Sequence, residues 1–166
     1  MKIELKNDGT WCDFVEKFFL RLIVEQRKGV MARIATLLAR KGYIIGSICV
    51  GKHIEEGEAS IVLTLRGEEA EVKNAKDLLG KLIHVISIEM YHESDAVERE
   101  LCLLKVEKGE DLKAKLSGFD FKVVKEGKDF AVVEIIDYPA RIEELVALAR
   151  KNFKVLDISR SGANAI

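Results

Sequence analysis

The residues best placed to do chemistry are Gln26-Arg27-Lys28-Gly29, which join an apolar run, Phe18 to Val24, to an amphipathic segment that begins at Val30. Gly29 permits a sharp turn and the close approach of a ligand. The first amides of a helix starting there, near Val30 and Met31, have no intrahelical acceptor and point outward as donors to an anion. A small carboxylate suits such a loop, with Arg27 and Lys28 able to steer it. The same residues also describe an ordinary strand-to-helix turn with solvated bases, and taken alone they leave both readings open.

Elsewhere the chain offers little reactive chemistry. It has no glycine-rich phosphate loop, no Cys-x-x-Cys and no pair of histidines at helical ligand spacing. His53, His84 and His92 fall in expected loops or at element ends and read as surface or half-buried residues. Ser60, Ser87 and Ser159 lack a neighbouring base in a strained turn, so none reads as a nucleophile. No catalytic, cofactor-binding or metal-ligating residue is assigned.

Composition narrows the partners. The 166 residues carry 27 Lys plus Arg against 28 Asp plus Glu, a formal net charge of -1, so no large field draws the chain to nucleic acid or to a membrane. Cys12, Cys49 and Cys102 are odd in number, and the last two sit in apolar runs, which fits reduced intracellular thiols rather than a disulfide framework. The opening MKIELKNDG lacks an apolar signal core, and no run of about 18 apolar residues occurs. A cytoplasmic location is expected.

The elements that would position the loop come in two similar sets. In the first, Phe18–Val24 reads as a strand, and Val30, Ile34, Leu37 and Leu38 recur at helical spacing until Gly42. Tyr43–Val50 reads as a second strand, GKHIEEGE as a hairpin connection, and Ile61, Leu63 and Leu65 as one face of a third strand ending at Gly67. Val72, Ala75, Leu78, Leu79 and Leu82 give a second helix, and Val85–Met90 a fourth strand. That βαββαβ order closes as a four-stranded antiparallel sheet with both helices on one face, a ferredoxin-like α+β fold. The second set repeats it: strand Leu101–Val106, short helix Asp111–Leu116, a hairpin of Phe121–Val124 and Phe130–Ile136 turning at Glu126-Gly127, a helix opened by Pro139, and strand Val155–Ile158. Three segments are expected: an extension over 1–16, in which TWCDFVEKF reads as a short capped helix or a tail, then domains over 17–92 and 97–166, divided at His92–Val97. The sheet could suit RNA, but ASIVLTL lacks the aromatic and basic pattern that stacks bases.

The first set resembles an ACT domain, the amino-acid-sensing module. The GVMARIATLLARKGY run, KLIHVISI, the VERELCLLKV segment from Val97 to Val106 and the closing SRSG at Ser159–Gly162 are similar, in order, to the pattern of acetolactate synthase small regulatory subunits, and span nearly the whole chain. The resemblance implies a non-catalytic subunit that joins and activates a large catalytic subunit. That partner would use thiamine diphosphate, magnesium and flavin (FAD), with no cofactor in this chain. It further implies a homodimer and feedback control by valine or a related branched-chain amino acid. The effector contacts would fall on Gln26, Lys28, Gly29, Val30, Met31, Ile44 and Ile45.

Two of those positions depart from the family pattern. Valine-responsive members usually have Asn where Gln26 stands, and a second Asn after the Gly-Tyr pair, where this chain has Ile44. Gln26 keeps an amide one methylene further out, whereas Ile44 offers no hydrogen bond. The contrasting assignment is a free-standing ACT-type sensor that controls some other enzyme or a transcription factor. Glu98, Arg99 and Glu100 allow either an interdomain or partner contact or charge protection of an exposed strand, and protection together with packing is favoured.

Overall fold

The computed structural model describes the backbone of Ile3–Leu5 and Trp11–Asp13, and residues 16–109 and 111–166 in full. They fall into two units, Met1–Ala96 with Ala165–Ile166, and Val97–Asn164.

Strand β1 (Ile3–Leu5) pairs antiparallel with β2 (Trp11–Asp13), Ile3 opposite Asp13. The TWCDFVEKF segment is therefore no helix: its start is β2, and its end, from Glu16, is already part of the next strand. Aromatic residues favour strands, and Asn7-Asp8-Gly9 between the two runs is a hairpin signal that the helical reading passed over.

The first unit continues as β3 (Glu16–Glu25), α1 (Val30–Arg40), β4 (Ile44–Lys52), β5 (Glu58–Gly67), α2 (Glu69–Gly80) and β6 (Val85–His92). Its sheet runs β4-β5-β3-β6 with every pair antiparallel. Phe18, Leu20, Leu22 and Val24 of β3 and Ile61, Leu63 and Leu65 of β5 form one face of the core. Val30, Ile34 and Leu38 of α1 and Val72, Ala75 and Leu79 of α2 pack on that same face, so both helices lie on one side of the sheet, as the element order requires. On the other face of β3, Phe19 and Ile23 are buried too, the mark of a central strand. Leu82, read as helical, lies beyond α2, which ends at a Lys81 cap bonded back to the Leu78 and Leu79 carbonyls.

A 3-10 turn at Glu93–Asp95 precedes the second unit: β7 (Glu98–Glu107), α3 (Leu112–Lys115), β8 (Phe121–Glu126), β9 (Phe130–Asp137), α4 (Pro139–Asn152) and β10 (Val155–Arg160). Its sheet order, β10-β7-β9-β8, reproduces that of the first when matched strand by strand. Cys102, Leu104 and Val106 of β7 pack with Val133 and Ile135 of β9 and with Ile142, Leu145 and Ala149 of α4. Cys49 and Cys102 are both free thiols, and burial raises the pKa of Cys102.

The VEREL and SRSG motifs meet here. Glu100 of β7, with a side chain only 3% exposed, accepts two hydrogen bonds from Arg160 of β10, Nε to Oε1 and Nη2 to Oε2, each 2.8 Å. Arg160 also reaches Glu143 of α4. Hydrogen bonding to Glu100, then to Glu143, holds the Arg160 pKa above its ordinary value. The Ser161 amide donates to the Leu101 carbonyl, and the Leu101 amide to Ser161 Oγ, at 3.0 and 3.1 Å. Removing the guanidinium with Arg160→Ala strands a buried carboxylate. Urea unfolding should show a loss of about 3 kcal/mol, at the low end for a broken buried pair because the Arg160 side chain is 31% exposed. The double change Glu100→Leu with Arg160→Met should recover most of it.

Candidate functional site

At one end of the first sheet three connections converge. The Glu25 amide donates to the His84 carbonyl at 2.9 Å, and the Gln26 amide donates to the Gly57 carbonyl at 2.7 Å. These bonds fix the start of the 26–29 loop against the α2–β6 connection and the β4–β5 hairpin. Gly29 then takes φ 83°, the left-handed region that glycine enters without a Cβ penalty, and serves as the α1 N-cap with no side-chain cap bond. Space is open where a Cβ would stand, so conformation rather than crowding selects glycine.

The helix that follows leaves two amides ahead of its first i→i−4 bond. Arg33 N–H donates to the Gly29 carbonyl at 3.0 Å, and the Val30 amide turns back to the Arg27 carbonyl at 3.4 Å. The outward donors are therefore those of Met31 and Ala32, one residue further on than sequence alone places them. Val30 contributes its side chain to the core, and Met31 packs partly against it. Gln26, Lys28 and Gly29 are exposed.

Charge at the loop is already partly matched. Glu25 accepts from His84 Nδ1 at 3.2 Å and from Arg27 Nε at 3.3 Å. The bond with His84, then that with Arg27, lowers the Glu25 pKa. Arg27 is thus tied down, while Lys28 enters no ion pair among the described residues and remains the loop's available cation.

Ile44 and Ile45 lie elsewhere. Ile44 pairs with Arg66, next to the Glu16–Gly67 pair, whereas Gln26 follows the Glu25–Glu58 pair at the opposite end of the same ladder. At about 3.3 Å per residue along the ten-residue β3, those ends are on the order of 30 Å apart. Ile44 is 72% exposed on the edge strand β4, while Ile45 packs against the core. One chain brings together Gln26, Lys28, Gly29, Val30 and Met31, and leaves Ile44 and Ile45 at the far end. His84 is half-buried, within the surface or half-buried reading of the sequence, but its bond to Glu25 has no local signal, because the two residues stand 59 positions apart.

Among the described residues no group of three or more His, Cys, Asp or Glu is arranged to hold a metal ion. Among the described residues no helix is long and apolar enough to cross a membrane.

Fold and loop together define an ACT-type regulatory module followed by a second ferredoxin-like domain. Residues 20–87 match the family of AHAS small subunit-like ACT domains, and residues 99–166 the family described as small subunit of acetolactate synthase. The chain is 30% identical over 150 residues to the probable acetolactate synthase small subunit of Methanothermobacter thermautotrophicus, covering 87% of this chain and 88% of that one. It is 28% identical over 161 residues to the chloroplastic small subunit 2 of Arabidopsis thaliana, of which it spans a third, 33%, while 95% of its own length is covered. The crystal structure of the Thermotoga maritima small subunit superposes with a TM-score of 0.79 at 26% identity, over 90% of this chain and 96% of that one. The chain belongs to the acetolactate synthase small-subunit family, with the regulatory role in branched-chain amino acid biosynthesis that goes with it.

The Glu25 network generates a direct test. A carbon NMR titration should show the Glu25 carboxyl losing its proton at lower pH than an exposed glutamate without such partners. His84→Gln should move that titration upward, since the leading cause of the shift is removed. The interactions favour the ionised form, so their contribution is present at neutral pH and is lost as pH falls through the lowered value.

Proposed function

We propose that this chain docks on an acetolactate synthase large subunit and raises its turnover, and that two copies assemble to complete effector sites for a small α-amino acid. Thiamine diphosphate, magnesium and flavin belong to the large subunit in this reading. The observation that carries the proposal is the separation of the Gln26–Met31 loop from Ile44 and Ile45 at opposite ends of one sheet. A two-fold axis beside the sheet sets the loop of one copy against the Ile44 end of its partner, and each end is used once in each of two sites. The exposed edge strand β4, which carries Ile44 and Val50 outward, suits such pairing. Light scattering at micromolar concentration should give a dimer mass, and a monomer mass would defeat the shared site.

The large-subunit partnership has its own test. Added to a cognate large subunit, the chain should raise acetolactate production from pyruvate, and alone it should produce none. Activation requires tighter binding to the active form of the partner than to the inactive one. A titration with binding confirmed but turnover unchanged would defeat the activation claim, whereas no affinity for the large subunit would favour the alternative of a free-standing sensor.

Effector binding by the natural chain should be weak. Ile44 leaves one polar group of a bound amino acid without a partner, at a cost of about 1–3 kcal/mol if that group is buried, and 1.4 kcal/mol is about tenfold in affinity. Calorimetry should show valine binding strengthened by Gln26→Asn with Ile44→Asn. Gly29→Asp should abolish it, because a side chain is strained at φ 83° and a carboxylate repels the ligand's own. Micromolar valine binding by the unmodified chain would show that other polar groups serve the site.

A further inference from the structure

The two units share one element order but differ in the first crossover helix. In the first unit α1 has 11 residues and sends Val30, Ile34 and Leu38 into the core. In the second, α3 has four residues, and the crossover supplies Leu116, fully buried, with Leu112 and Phe119 packed partly on the core. One turn of helix stands where the other sheet has three. Part of the face formed by β7, β9 and β8 is consequently left open.

A cavity of about 280 Å³ occupies that place. Its floor is apolar: Val106 at the end of β7, Ala131 of β9, Phe121 and Val123 of β8, and Leu112 at the start of α3. Val123 is paired with the buried Val133, yet it stays 36% exposed at the mouth. The cavity lies at the strand-to-helix junction of its unit, the topological counterpart of the Gln26–Gly29 loop. Its volume is at the small end for ligand pockets, which run from about 300 Å³ upward.

The rim carries both signs of charge, and its pairing shows which group is left for a ligand. Glu107 is paired with Lys154 at 2.8 Å, and Glu126 with Lys108 at 3.2 Å. Asp111 accepts the amides of Lys113 and Ala114 at 3.0 and 3.3 Å. Glu107 and Glu126 are thus matched by lysines and Asp111 keeps its charge while spending Oδ1 on backbone amides, and the exposed Lys113 ammonium is in no ion pair among the described residues. An apolar floor with one uncommitted cation selects a small molecule with an aliphatic body and one negative group.

We propose that this cavity binds a short aliphatic carboxylate, its hydrocarbon on Val106, Phe121, Val123 and Ala131 and its carboxylate at Lys113. The site is distinct from the effector loop of the first unit and does not rest on the reading given to that loop. The test is methyl NMR on the intact chain, titrated with isocaproate and, in parallel, with the neutral isocaproamide. Isocaproate should shift the methyls of Val106, Leu112, Val123 and Ala131 in a saturable manner and leave those of Val30 and Met31 in place. Lys113→Ala should weaken the binding about tenfold, as expected for one charge-assisted contact, and isocaproamide should be weaker by a similar factor. Val123→Trp should fill the mouth and remove the saturable shifts. Lys113 is exposed and outside the core, so its variant remains informative even if the tryptophan disturbs β8. Shifts that fail to saturate, or that are equal for amide and acid, or that survive unchanged in Val123→Trp, would overturn the proposal.

Discussion

The register of β3 between β5 and β6 is the constraint on which the first unit depends. With Leu20 opposite Leu63 on one side and Met90 on the other, Phe18, Leu20, Leu22 and Val24 all face the two helices. A slip of one residue would turn Lys17 and Arg21 into that core, at a cost that no surface contact could offset. The same pairing determines where the chain leaves the sheet. Because β3 is locked, Glu25 meets His84 and Gln26 meets Gly57, and the loop that follows starts from a fixed position and direction. Locking β5 to β3 also puts Ile44, through Arg66, at the far end.

Within that frame the loop gathers modest effects rather than one strong one. Gly29 supplies a left-handed turn without a side chain, the helix start leaves the Met31 and Ala32 amides outward, and Lys28 enters no ion pair among the described residues. Glu25 holds Arg27, so the loop carries less positive charge than its composition suggests. Each of these interactions is partly solvated and individually weak. An anion bound there gains from their convergence, which depends on the backbone bonds to Gly57 and His84.

Much of this was legible in the sequence, and the exceptions have physical reasons. Alternation in Leu20, Leu22 and Val24, the helical spacing of Val30, Ile34 and Leu38, and the glycine stop at Gly42 identify elements through local patterns, and the βαββαβ order then leaves one ferredoxin-like closure. The burial of Phe19 and Ile23 was less visible, because a central strand covered on both faces reads as a plain apolar run. TWCDFVEKF was ambiguous because five of its nine residues are polar or small enough to suit a helix start as well as a strand, and only pairing decides, with Ile3–Leu5 for its start and with β5 for its end. Long-range pairs such as Glu25 with His84 and Glu100 with Arg160 carry no local signature. The VEREL and SRSG motifs mark both ends of the second pair without showing that they touch.

Gln26 and Ile44 cannot meet within one chain, and this bears on how a regulatory subunit would act. A ligand held between the loop of one copy and the edge strand of another binds the dimer and not the monomer. Linkage then requires the ligand to strengthen dimerisation by the same factor by which dimerisation strengthens ligand binding. An effector of that kind needs no route through the core to be felt. It alters the population and geometry of the paired sheets directly, and a catalytic partner that prefers one arrangement of the pair responds in proportion to that preference. A displaced amide at Gln26 and the lack of a hydrogen-bonding group at Ile44 would limit how far valine could shift such an equilibrium, even with the pairing of two copies itself intact.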